Sequence, residues 1–164
     1  MYMLSTLLIL LCSTMTVPLQ ERPEDLAIQQ VVEVVHSHER EWRYSGGICT
    51  CPPLLDEQVG ISIGTFERKQ RARHRERVEL EVVVASSPDA ASQWIRRFGN
   101  GGAAEGWTSE PYQLGDEAYP STYKDGSAFG VVFRRGALLF KVDGSSLQTV
   151  LRFAQYADAA SNDS

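Results

Sequence analysis

Ile28, Val31, Val32 and Val35 stand three and four residues apart, the spacing of one helical face. The chain over residues 23–42 therefore reads as a helix. Pro23 suits its first turn, and Glu24 and Asp25 suit the positive end of its dipole. Further on the period changes to two. Val59, Ile61, Ile63 and Thr65 alternate with Gly60, Ser62 and Gly64, the pattern of a strand with one apolar face. Alternation resumes over residues 77–85 with Val78, Leu80, Val82 and Val84. Ser87, Pro88 and Asp89 then supply a capping hydroxyl, a first-turn proline and a first-turn acid. Ala91, Trp94, Ile95 and Phe98 form the buried stripe of the helix that follows, and Gly99 is its expected stop. A glycine-rich stretch leads to residue 111.

The last third repeats this order. Phe129, Val131 and Phe133 alternate, Arg134-Arg135-Gly136 reads as a tight turn, and residues 137–142 form the return strand. Ser145 and Gln148 have capping-box spacing, and Leu147, Val150, Leu151 and Ala154 share one face of a final helix that fades near Asp158. Two ββα units after an N-terminal helix define an α+β class. The expected sheet is antiparallel, with four to five strands and its helices on one face. The alternative is a cystatin-like arrangement, one helix wrapped by a curved sheet.

The N-terminus has a different pattern. All 16 Lys and Arg and all 21 Asp and Glu lie after Gln20. Leu4, Leu7, Leu8, Ile9, Leu10 and Leu11 form an apolar stretch, followed by the small or hydroxylated Ser13, Thr14 and Thr16. Residues 1–20 read as a secretory signal peptide, cleaved between 16 and 20, and the stretch is short for a membrane span. Cys12 suggests lipidation, but Leu10 and Leu11 stand where a lipobox needs small residues. The expected location is secreted or periplasmic. Residues 21–160 would form one domain and 161–164 a tail.

Composition adds exclusions. Apolar residues make up 43% and charged residues 23%, which rules out a disordered or collagen-like chain. A net charge of -5 and a pI near 5.2 count against nucleic acid as a partner.

Gly115-Asp116-Glu117-Ala118, then residues 133–139 with Arg134-Arg135-Gly136, then a helix bearing Tyr156-Ala157-Asp158, resembles the C-terminal part of certain exported bacterial domains. Some of these are lipoproteins, and others are extracellular sensor domains of Ser/Thr kinases. The resemblance spans residues 115–159. It implies an envelope location and a non-enzymatic module, and it supplies no ligand and no catalytic residue.

Two local features carry candidate chemistry. Cys49 and Cys51 are the cysteines of the mature chain, separated by Thr50. Exported thiols this close usually pair, and such a bond would be strained and reducible. A local disulfide clip, an interchain pair and a redox role are all open. So is a zinc or copper site formed with His36 and His38, although histidines at i and i+2 of a helix point apart. The second feature is an arginine ladder: Arg68, Lys69, Arg71, Arg73, Arg75 and Arg77. On a strand Arg71, Arg73, Arg75 and Arg77 would share one face. The bland reading is a solvated hairpin whose charge discourages edge pairing. The functional reading is a docking edge for an anionic partner: an envelope protein, an anionic polymer or a lipid head group.

Catalytic patterns are missing. The sequence holds no G-x-S-x-G, H-E-x-x-H or P-loop. Asp116 and Glu117 are adjacent, whereas a glycosidase pair faces across a cleft. Trp107, Tyr112, Tyr119 and Tyr123 read as core or loop anchors. The sequence thus points to an exported, non-catalytic binding module of the bacterial envelope with no cofactor. The alternative is a metal-binding or thiol-redox protein using the C-x-C pair.

Overall fold

The computed structural model describes residues 22–46, 58–69, 75–101, 112–122 and 128–162. The signal-like segment, all three cysteines, Arg71, Arg73, Trp107 and Tyr123 lie outside the described residues. Among the described residues the fold is α+β, a six-stranded antiparallel sheet with three helices. In chain order the elements are α1 (Pro23–His38), β1 (Arg43–Tyr44), β2 (Gln58–Lys69), β3 (Arg75–Ala85), α2 (Pro88–Gly101), β4 (Glu117–Thr122), β5 (Phe129–Arg135), β6 (Leu138–Gly144) and α3 (Leu147–Asn162). The strand order is β1-β2-β3-β6-β5-β4. The two ββα units join through β3 and β6, with Val82 opposite Phe140. No described helix is long and apolar enough to cross a membrane.

The sheet has helices on both faces, where one face was expected. Val78, Leu80 and Val82 of β3 pack with Val131, Phe133, Phe140 and Val142 under α1 and α3. Val83 and Ala85 point the other way, into a second core with Val132, Leu139 and the α2 residues Ala90, Ala91, Trp94 and Ile95. The reason is in the chain: Val82-Val83-Val84-Ala85, Val131-Val132-Phe133 and Leu138-Leu139-Phe140 break the alternation. A strand that is apolar on both sides needs cover on both sides.

The larger core is built on aromatics. Trp42 meets Phe153 edge-on at 4.8 Å, and Phe153 meets Phe66 at 5.1 Å. Phe133 and Phe140 are cross-strand partners and stack at 4.8 Å. Trp42 is not the end of a helix, because α1 stops at His38 and the chain turns back to bury the indole. The small residues of β2 form the surface on which α1 lies. A side chain at Gly60 would collide with the Glu24 carboxylate, and one at Gly64 with the Tyr44 ring.

Element ends shift in detail. α2 continues past Gly99 to Gly101, and α3 continues past Asp158 to Asn162. Arg134 and Arg135 belong to β5, and the turn is Gly136-Ala137, with Gly136 at φ 57°. α3 starts at Leu147 with Val150 N–H on the Ser146 carbonyl, one residue later than a Ser145 cap requires. Ser87 does cap α2: its hydroxyl accepts from Ala90 N–H at 3.1 Å. Ser87→Ala is expected to cost about 1 kcal/mol, read as a lowered urea midpoint with an unchanged slope. A loss below a few tenths would mean the cap is dispensable.

Candidate functional site at the arginine-bearing end of the sheet

The motif that carried the family resemblance folds into a set of internal ties. Asp116 accepts from Gly136 N–H at 2.8 Å and pairs with Arg134 at 3.2 Å. Asp158 of α3 accepts from Gly115 N–H at 3.0 Å and pairs with Arg135. Glu117 accepts from Ser92 and Arg96 of α2, Tyr119 of β4 and Arg134 of β5. Burial alone would raise the pKa of Glu117. The four hydrogen bonds outweigh it and hold the carboxyl at about 2. These residues bind the start of β4, the β5–β6 turn and two helices to one another. Asp116 and Glu117 are therefore ion-paired structural acids, and Tyr119 anchors the same group.

The arginine ladder divides at the β2–β3 hairpin. Arg68 stands opposite Glu76 and turns toward the larger core. Its guanidinium lies 5.0 Å over the Trp42 ring and pairs with Glu41 and Glu76. Glu76 is 7% exposed and also accepts from Thr149 of α3 at 2.6 Å. The charge of Arg68 is met inside the fold, so this residue belongs to a structural tie rather than to an open docking edge. Lys69 ends β2 opposite Arg75.

Arg75 and Arg77 point to the opposite face, beyond the half of the sheet that α2 covers. Arg77 pairs with Glu79 at 2.9 Å and reaches Thr65 at 3.4 Å. Arg75 is 69% exposed and reaches Glu67 at the long distance of 3.6 Å. The lattice continues inward through Lys141, 2.8 Å from Asp143 and 3.8 Å from Glu81. Burial raises the pKa of Glu81, with Lys141 opposing it. Among the described side chains the face is thus mostly charge-neutral by pairing, with Arg75 the most loosely held cation.

Arg75 also stands where three clefts meet. The first, about 570 Å³, is lined by Arg68, Glu76, Arg152 and the start of α3 at Ser145 and Ser146. The second, about 370 Å³, holds Arg77, Glu79 and Asp143. The third, about 500 Å³, runs past Glu67 to Arg43 and Tyr44.

The histidines are separated. His38 contacts the Val34 carbonyl and Ser37 and stacks on Tyr156 of α3 at 5.3 Å. His36 lines a shallow cleft with Arg40 and Trp42. Among the described residues no three of His, Cys, Asp and Glu gather as metal ligands would. Cys49 and Cys51 lie outside the described residues.

Pattern reading overlooked Arg40 and Arg43. Both are exposed, and neither makes an ion pair or side-chain hydrogen bond among the described residues. No family model matches the chain, and no curated protein or solved structure matches it.

Proposed function

We propose that this chain is an exported, non-catalytic binding module of the bacterial envelope, docking an anionic partner at the arginine-bearing end of its sheet. The observation that carries the reading is the position of Arg75. Most of the other described arginines are held in closer ion pairs, whereas Arg75, 3.6 Å from Glu67, is exposed and opens onto three clefts. An exposed guanidinium in a concave setting, held by one long ion pair, favours an incoming oxyanion. Arg77 lies beside it, and the partner would compete with Glu79 for its charge.

The test is retention on an immobilised polyanion such as dextran sulfate. Wild type should bind at low ionic strength and release as salt rises, because exposed charges are screened. Arg75→Ala/Arg77→Ala should lower affinity about tenfold. Cys49→Ser/Cys51→Ser should bind as wild type does. Failure of wild type to bind at low salt, or indifference to the arginine changes, would overturn the docking role. Export has its own check: the protein from an envelope or secreted fraction should lack about 16–20 residues by intact mass.

A further inference from the structure

Arg40 and Arg43 line one cleft of about 510 Å³ with His36, Trp42 and Tyr44. Its two guanidiniums have no carboxylate partner among the described residues, unlike Arg68, Arg77, Arg96, Arg134, Arg135 and Arg152. Trp42 is 1% exposed, and its indole N–H is buried without an acceptor.

This cleft is not isolated. It shares Arg43 and Tyr44 with the cleft that continues to Arg75, which in turn adjoins the cleft of Arg77. Arginines 40, 43, 75 and 77 therefore stand along a run of adjoining depressions around one end of the sheet. Carboxylates are interleaved with them: Glu41 is exposed, and Glu67 and Glu79 are partly so. That alternation selects among polyanions. A dense one, such as polyphosphate or nucleic acid, would set phosphates against these carboxylates. A glycan with one carboxylate per few sugars places its charges on the arginines and its hydroxyls as donors to the glutamates. Among the described residues that line these clefts, Trp42 is buried and Tyr44 is the one half-buried phenol, too little for the stacked bases of a single strand.

We propose that the clefts from Arg40 to Arg77 form one track for an acidic glycan, anchored by the uncommitted pair Arg40 and Arg43. The proposal rests on the anion-docking reading above and extends it to a partner class and a second contact point. The full chain would be titrated with hyaluronate oligosaccharides of two and ten sugars, and with polyphosphate, at one low ionic strength. The longer oligosaccharide should bind at least about tenfold more tightly than the shorter, because a disaccharide has a single carboxylate and only the longer chain offers separate charges to both arginine pairs. Arg40→Ala/Arg43→Ala and Arg75→Ala/Arg77→Ala should each lower its affinity about tenfold. Arg40→Lys/Arg43→Lys should recover part of the loss, since charge is kept without the planar fork. Unchanged melting temperatures would show that these exposed changes leave the fold intact.

Binding that falls with Arg75→Ala/Arg77→Ala but ignores Arg40→Ala/Arg43→Ala would overturn the track and leave the docking role standing. Equal affinity for both lengths would do the same. Polyphosphate bound tenfold tighter than the long glycan would overturn the partner class. If no anionic probe binds, the docking role itself falls.

Discussion

Gly115→Ala is expected to destabilise the fold by about 3 kcal/mol, while Gly136→Ala costs about 1 kcal/mol. Both glycines have left-handed backbone, at φ 56° and 57°. An added methyl therefore meets the same conformational penalty at each. Their surroundings differ. A Cβ at Gly136 would meet nothing within 4 Å, whereas one at Gly115 would press on the Arg134 carbonyl oxygen. That carbonyl cannot move aside freely, because it accepts from Asp116 N–H at 2.8 Å. Displacing Gly115 would also draw its own N–H from Asp158 and loosen the contact between β4 and α3. Urea unfolding of the two variants checks this. Equal losses would mean that backbone conformation alone sets the cost and that the packing of Gly115 on β5 is slack.

The elements that were legible in the sequence are those whose periodicity is strong. α1, β2, β3, α2, β5, β6 and α3 all carry a helical or alternating pattern, and they fix the α+β class. β1 has two residues, too few for any period. β4 was hidden by Pro120 and Glu117, which weaken a strand pattern but are tolerated at a sheet edge. The two-faced sheet was written in the apolar runs of β3, β5 and β6, where alternation gives way to consecutive Val, Phe and Leu.

The site was less legible, because charge spacing does not reveal pairing. Arg68 and Arg75 look equivalent in the ladder. The β2–β3 register sets Arg68 against Glu76 and turns it to the core face, while Arg75 emerges on the other. Whether a guanidinium is spent depends on carboxylates far away in sequence: Arg68 meets Glu41, 27 residues distant. Arg40 and Arg43 are notable for lacking such partners among the described residues, and an absent partner leaves no mark on local sequence.

Glu117→Gln should lower stability by on the order of 2 kcal/mol at pH 7, and the deficit should shrink as the medium is acidified. Glu117 is the point at which α2, β4 and β5 are tied, and its side chain is 15% exposed. The amide offers one acceptor oxygen to four donors and carries no charge for Arg96 and Arg134. The sign of the pH effect follows from the depressed pKa, about 2 in the fold against an ordinary 4.5. Ionised Glu117 stabilises the fold fully above its unfolded pKa. That contribution is lost as pH falls through the range between about 5 and 2. Other carboxylates titrate over the same range in both proteins, so the informative quantity is the difference between wild type and variant. Urea midpoints at pH 7, 5, 4 and 3 should show a gap that is constant above about 5 and narrows below it. A gap independent of pH would assign the loss to altered hydrogen-bond geometry rather than to the charge. It would also remove the case for Glu117 as the anion that fastens α2 to the otherwise open face of the sheet.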